Sequence, residues 1–205
     1  IKTPIAAILT RAELLEKEVD ERSRDSVKDL IVRARYASKL ATQVLLRATI
    51  TYREIVGVRE QFDLTTLVSS VLRTMDPSAE IKDVGLTLLS PEDSPVMIEG
   101  DRIAVREAIT CLVDNAIEYT PPLSDIEVVV HEIDNEACVS VMDRGPGFTI
   151  DIAQLSGFDT SKKDPSHVGL GLAIIERVAK SHGGRLTISS REGGGSQCVL
   201  SFAVS

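Results

Sequence analysis

The strongest constraint on the fold is a change in the spacing of apolar residues near residue 57. Before that point, apolar residues recur at intervals of three and four, which places one apolar stripe on each of two helices. The stripes are Ile1, Ile5, Ile8, Ala12, Leu15 and Val19, followed by Val27, Leu30, Ala34, Ala37, Ala41, Val44 and Ala48. This spacing predicts a helical hairpin over residues 1–57, with a polar turn at 20–25 and Asp25 or Ser26 as cap of the second helix.

Two helices with one apolar stripe each do not bury both stripes completely. A second copy of the hairpin would cover them in a four-helix bundle, which predicts a homodimer. The alternative is that the hairpin packs against the rest of its own chain.

Residues 58–205 predict a second domain of the α+β class. The expected helices are 64–75, 102–119 and 170–181, and the expected strands are 86–89, 96–99, 126–133, 137–142, 185–190 and 197–204. Because this order contains no repeated βαβ unit, it predicts an α/β sandwich in which helices cover one face of a sheet.

The composition narrows the function. Hydrophobic residues make up 43% of the 205 positions and aromatic residues only 3%, so the core is expected to be aliphatic. A net charge of -8 argues against nucleic-acid binding. Cys111, Cys138 and Cys198 lack metal-ligand spacing and favour free thiols in a reducing, cytoplasmic compartment. No apolar run approaches the roughly 20 residues of a membrane helix, so membrane attachment is expected only through segments upstream of Ile1.

Two motifs predict a site for a base and a metal ion. Asn115 lies on the predicted helix 102–119, and its amide oxygen is a hard ligand that suits Mg²⁺. Asp143 follows a predicted strand, and its carboxylate can accept a hydrogen bond from the exocyclic amine of adenine. Gly145 and Gly147 allow the backbone to approach a flat base closely.

A third motif, Gly169-Leu170-Gly171-Leu172, opens a predicted helix. Glycines at a helix N-terminus expose N–H groups and the positive end of the helix dipole to phosphates. A dinucleotide-binding fold uses similar glycines, but it requires a strand directly before them. Here a long polar segment precedes the glycines instead, and its Lys162 and Lys163 can either neutralise a triphosphate or be ordinary surface lysines.

In this order, the three motifs resemble those of sensor histidine kinases, a branch of the GHKL ATPase superfamily, and the resemblance covers essentially the whole chain. Asn115 falls in the family's asparagine box, and Asp143, Gly145 and Gly147 in its first glycine box. Tyr119 matches the aromatic residue that lies beside adenine, and residues 158–162, which begin with Phe158 and end with Lys162, match the phenylalanine box of the lid. Gly169 and Gly171 match the second glycine box. At the other end of the chain, Ile1-Lys2-Thr3-Pro4 matches the tail of the phosphoacceptor box.

The resemblance implies a kinase that uses ATP and Mg²⁺ to phosphorylate its own histidine, two positions before Ile1, and passes the phosphoryl group to an aspartate of a response-regulator partner. It assigns catalytic roles to Lys162 and to Thr3, which matches the position that orients a water in phosphatase-active relatives. The histidines within the chain, His131, His167 and His182, are expected to have core or surface roles.

Three positions depart from the family pattern. Cys111 replaces the usual Asn or His, Glu118 stands where Lys or Arg is common, and His167 stands where the second glycine box usually begins with Gly. These departures leave open a weak or inactive homologue that acts as a dimeric scaffold or phosphatase. Another kind of GHKL ATPase is the third possibility, although such members carry a general-base Glu at the position of Cys111.

Overall fold

The computed structural model describes residues 2–89, 95–147, 169–191 and 193–204. The side chains of 2–6, 21–22 and 169–170 are outside this description. The chain divides into two compact units, Ile1–Tyr52 and Arg53–Ser205.

The first unit contains helix α1, Lys2–Glu18, and most of helix α2, Glu21–Val56. Asp20 caps α2, because its Oδ1 accepts a hydrogen bond of 2.9 Å from the backbone N–H of Ser23. The predicted cap at Asp25 or Ser26 is therefore wrong, since residues 21–25 already belong to the first turns of α2.

Several large residues of the predicted apolar stripes are exposed in the single chain. Ile8, Leu30 and Val44 are 59%, 60% and 62% exposed. An ion pair of 2.8 Å between Arg35 and Glu13 joins the two helices. The pair is exposed and contributes little stability by itself.

The second unit is built on a five-stranded mixed sheet. Its strands are β2 Val84–Leu89, β4 Ser124–Ile133, β5 Glu136–Met142, β6 Leu186–Ser190 and β7 Ser196–Ala203, in the spatial order β2-β4-β5-β7-β6. Strand β2 runs parallel to β4, and the other neighbours are antiparallel. Three helices pack on this sheet: α3 Leu64–Glu80, α4 Arg102–Tyr119 and α5 Gly169–Ser181.

The core between helices and sheet is aliphatic, as the composition predicts. Fully buried residues include Val105 and Ile109 on α4, Ile175 on α5, and Val128 and Leu200 on the sheet. Such side chains occupy few rotamers and pack densely, which gives the sheet a rigid edge on which to hold functional loops.

A second, two-stranded sheet was not fully predicted. Strand β1, Glu60–Asp63, pairs antiparallel with β3, Met97–Gly100, and their central residues Phe62 and Ile98 are buried. Strand β3 corresponds to the predicted strand 96–99, whereas β1 was missed because its short run leads directly into α3. The last residue of β1, Asp63, also caps α3 by accepting the N–H groups of Thr65 and Thr66.

Helix α3 continues to Glu80 instead of ending at residue 75. Pro77 lies inside the helix and cannot donate the hydrogen bond that this position would make. The helix continues past it because Ala79 is 2% exposed in the core and the N–H of Ile81 bonds the carbonyl of Pro77 at 3.3 Å.

The N-terminus of α4 is fixed by the side chain of Asp101. Its Oδ1 accepts the N–H groups of Ile103 and Ala104 at 3.0 and 3.1 Å. Arg53 donates two further bonds, of 2.6 and 2.8 Å, to the two carboxylate oxygens. Burial acts to raise the pKa of Asp101, but these partners outweigh burial and hold the pKa below its usual value.

A buried histidine, His182, also holds the N-terminus of α4 in place. The Nε2 of His182 accepts the backbone N–H of Asp101 at 2.9 Å, while its Nδ1–H donates to the carbonyl of Val178 at 2.7 Å. The ring is therefore neutral in this arrangement. Burial, together with the positive charge of Arg59, lowers the pKa of His182, whereas the bond to Val178 and the charges of Asp101 and Glu54 oppose the change.

We expect the free energy of unfolding to fall as pH decreases below about 6.5, the pKa of an unfolded histidine. Because the pKa of His182 is lower in the folded protein, the unfolded chain binds more protons below this pH. One such histidine changes the free energy of unfolding by at most about 1.4 kcal/mol per pH unit. Urea unfolding between pH 5 and 7.5 measures the slope, which His182→Asn should reduce. Equal slopes in both proteins would contradict the assignment.

Candidate nucleotide-binding site

Helix α4 has the limits that the sequence predicts and presents the asparagine motif on its last two turns. Asn115 and Cys111 are half-buried, Glu118 is exposed, and Tyr119 is 42% exposed. The positions 111, 115 and 118 lie on one face of the helix because they are separated by four and three residues.

Asp143 follows the last residue of β5 and is held in one orientation by the backbone. Its Oδ1 accepts the N–H of Gly145 at 2.7 Å and the N–H of Ser196 at 3.1 Å. Its own N–H donates to the carbonyl of Ser196 at 2.9 Å. The residue is 8% exposed, and within the described part of the chain its Oδ2 accepts no hydrogen bond. One carboxylate oxygen thus has a structural role, and none of the described residues bonds the other.

Two glycines make this placement of Asp143 possible. A Cβ on Gly145 would lie 2.9 Å from the carbonyl oxygen of Tyr119, and a Cβ on Gly195 would lie 2.1 Å from the carbonyl oxygen of Asp143. Gly195 also has a φ of +101°, a conformation that strongly favours glycine. The loop after β5 therefore lies directly between the end of α4 and the turn before β7.

The same turn supports the second glycine of the motif. Gly147 has a φ of +76°, and a Cβ there would lie 3.4 Å from the carbonyl oxygen of Gly195. The backbone from Asp143 to Gly147 is consequently in contact with the glycine turn at both of its ends.

Cys198 lies opposite Val141 in the sheet, close to the end of β5 where Asp143 follows. Burial raises the pKa of its thiol to about 12, and the negative charge of Asp143 acts in the same direction. At neutral pH the thiol stays protonated and therefore has no role as a nucleophile. Cys198 is a free cysteine, in agreement with the prediction for this residue.

The phosphate motif is described in part. Helix α5 begins at Gly169, and Gly171 and Leu172 are buried in its first turn, while Leu170 belongs to the helix without a described side chain. The predicted residues Phe158 and Lys162, with the neighbouring Lys163 and His167, are outside the described residues. Thr3 lies within α1, and its side chain is also outside the description.

The structure therefore brings together two of the predicted groups, the Asn115–Tyr119 turn and the Asp143–Gly145 loop. The sequence analysis missed the role of Gly195 and Ser196, which orient Asp143. A signal was present, because a hairpin turn needs at most two glycines, and a third one at the start of a strand indicates a close approach of another backbone.

Comparison with known protein families identifies this arrangement. Residues 100–205 match the family described as "Histidine kinase-, DNA gyrase B-, and HSP90-like ATPase", and this range contains all three nucleotide motifs. The chain belongs to this family. Its relatives among curated proteins include sensor kinases, and the chain corresponds to a sensor histidine kinase catalytic region.

Individual relatives show the extent of the similarity. "Sensor protein GacS" of Pseudomonas syringae pv. syringae is 29% identical over 98% of this chain, and "Probable sensor kinase SilS" of Salmonella typhimurium is 28% identical over 93%. The chain spans only 24% and 40% of these two proteins. The crystal structure of full-length ShkA in complex with AMPPNP is 25% identical, with a TM-score of 0.68, and covers all of this chain and 44% of ShkA.

The residues of this ATPase domain fit an adenine nucleotide. Gly145 and Gly195 let the neighbouring backbone hold Asp143 in place, and Asp143 presents one oxygen without a hydrogen bond from the described residues. In the described ranges, no group of three His, Cys, Asp or Glu residues is placed to hold a metal ion, so Mg²⁺ would depend on Asn115 and on nucleotide phosphates.

Among the helices in the described part of the chain, none is both long and apolar enough to cross a membrane.

Proposed function

We propose that this chain is the catalytic core of a sensor histidine kinase that transfers the γ-phosphoryl group of ATP to a histidine two positions before Ile1. The observation that carries the proposal is the fixed carboxylate of Asp143 in a glycine cradle within a domain of the histidine kinase ATPase family.

Each motif then has a defined task. Asp143 accepts a hydrogen bond from the adenine amine, and the exposed ring of Tyr119 lies against the base. The amide oxygen of Asn115 would hold Mg²⁺, which would supply neutralising charge at the phosphates. The N–H groups at the start of α5 and the ammonium of Lys162 bind the phosphate oxygens. Positioning and charge neutralisation are the main sources of catalysis in phosphoryl transfer.

The reaction replaces a phosphorus–oxygen bond of ATP by a phosphorus–nitrogen bond of the histidine and releases ADP and the imidazole proton. The phosphohistidine then donates its phosphoryl group to an aspartate on the receiver domain of a response regulator. The exposed apolar stripes of α1 and α2 support a homodimer through residues 1–57. Thr3 would orient a water that hydrolyses the phosphoryl–aspartate bond of the regulator and releases inorganic phosphate. The protein would act in the cytoplasm, with any membrane anchor upstream.

The test uses a chain with a His-Glu pair placed directly before Ile1. On incubation with Mg·ATP, we expect a phosphoryl label that is labile in acid and stable in base, as phosphohistidine is. Asn115→Ala should lower the initial labelling rate by roughly 100-fold or more, because it removes a preorganised group that stabilises the transferring phosphate.

The matched control carries Gln-Glu in place of His-Glu before Ile1 and should remain unlabelled. Strong labelling of this control would place the acceptor elsewhere and contradict the proposed register of Thr3 and Pro4. Labelling that is unaffected by Asn115→Ala would contradict the metal assignment.

A further inference from the structure

A lysine outside the three motifs bonds the helix end that carries two of the proposed nucleotide ligands. The ammonium of Lys82 donates a hydrogen bond of 2.9 Å to the carbonyl of Ile117, and a second bond to the carbonyl of Glu118. Both carbonyls belong to the last turn of α4, between Asn115 and Tyr119. Carbonyls in this position lack partners within the helix and form the negative end of its dipole, so a cation there stabilises and fixes the turn.

Lys82 is itself held in a rigid place. It belongs to the turn after α3, where its N–H bonds the carbonyl of Ala79 and the N–H of Asp83 bonds the carbonyl of Glu80, both at 3.0 Å. The carbonyl of Asp83 then accepts the N–H of Leu123 at 2.7 Å. The turn therefore holds the chain on both sides of the C-terminus of α4. The ammonium of Lys82 bonds the last turn of the helix, and the carbonyl of Asp83 bonds Leu123 in the segment that follows it.

The other side of this helix end carries the adenine loop. Gly145 rests so close to the carbonyl of Tyr119 that a Cβ would lie 2.9 Å away, and the N–H of Gly145 bonds Asp143. A displacement of the last turn of α4 would consequently move Asn115 and the Asp143 loop relative to each other.

We propose that Lys82 is a positioning residue that sets the separation between the metal-binding amide of Asn115 and the adenine-binding carboxylate of Asp143. This inference rests on the proposed function, because it assumes that one nucleotide spans both groups. Lys82 acts through the backbone of α4 and does not touch the nucleotide. A ligand that reaches both anchors depends on their separation, whereas a ligand held by the adenine side alone does not.

The test compares Mg·ADP with adenosine on the 205-residue chain, by calorimetry and chemical-shift titration. Lys82→Met keeps the length of the side chain and removes the ammonium. We expect it to weaken Mg·ADP binding about five- to tenfold, as misplacement of a bound group does, and to change adenosine binding by less than about twofold. Lys82→Arg, which can donate to both carbonyls, should restore Mg·ADP binding.

The matched control is Lys180→Met, which removes an ammonium from an exposed ion pair with Glu176 on α5. It should leave both affinities unchanged. Thermal unfolding of each variant sets a temperature at which all are folded. An unchanged Mg·ADP affinity in Lys82→Met, or equal losses for Mg·ADP and adenosine, would overturn the positioning role. Failure of the unaltered chain to bind Mg·ADP would instead overturn the proposed function, and this inference with it.

Discussion

Asp143→Asn is expected to weaken ATP binding about 100-fold or more while leaving the fold intact. The amide oxygen of asparagine can still accept the N–H groups of Gly145 and Ser196, which preserves the structural half of the interaction. The amide nitrogen then replaces Oδ2 and presents a donor to the adenine amine, which is also a donor. Loss of a charge-assisted hydrogen bond plus an unsatisfied donor amounts to about 3 kcal/mol.

The same substitution should reverse the preference between bases. Inosine triphosphate carries a carbonyl oxygen where adenine carries its amine, so it can accept from the new amide. Calorimetry with both nucleotides should show that the unaltered chain prefers ATP and that Asp143→Asn prefers inosine triphosphate or loses its preference. Asp134→Asn, in the exposed turn at the other end of β5, is the matched control and should change neither affinity. An unchanged ratio in Asp143→Asn would show that this carboxylate does not contact the base.

Gly195→Ala is expected to lower the free energy of unfolding by about 3 kcal/mol. The methyl group would lie 2.1 Å from the carbonyl oxygen of Asp143, and the backbone has a φ of +101°. Each effect, the clash and the unfavourable conformation, costs about 1–3 kcal/mol. Because the clash displaces Asp143, nucleotide binding should weaken as well. Urea unfolding and calorimetry measure the two effects.

The neighbouring glycine separates the two causes. Gly194 has a φ of +98°, but a Cβ there meets nothing within 4 Å. Gly194→Ala should therefore show only the cost of the conformation, about 1–2 kcal/mol, and leave nucleotide binding unchanged. If the two variants lost equal stability and bound nucleotide equally well, the close contact between Gly195 and Asp143 would have no energetic role.

The sequence predicted the elements that have strong local signals. Helix α4 combines a capping aspartate, Asp101, with sustained helical spacing, and its limits at 102 and 119 were confirmed. Strand β5 was predicted within one residue because its apolar run ends at a charged residue and a glycine. The asparagine motif lies at the end of α4, and the Asp143 motif follows the end of β5. Once these two elements were predicted correctly, the positions of both motifs in the fold were known.

Contacts between segments distant in sequence were not predicted. The bond from Ser196 to Asp143 joins positions 53 residues apart, and Lys82 reaches Glu118 across 36 residues. No local pattern encodes such pairs, because they arise from the packing of β7 beside β5 and of the α3 turn beside α4. The end of α3 was missed for a similar reason, since burial of Ala79 overrides the tendency of Pro77 to end a helix.

The contacts at the end of α2 bear on how this protein should be dissected. Sequence periodicity suggests a cut after residue 57, but Arg53 bonds Asp101 at the start of α4, and Glu54 accepts bonds from Arg177 on α5. Both helices carry one of the proposed nucleotide motifs at one end. A recombinant ATP-binding fragment that begins at residue 58 would leave the Asp101 carboxylate, 8% exposed, without its cationic partner. A fragment that begins upstream of Arg53 keeps both ion pairs and is the better starting point for crystallisation and inhibitor screening.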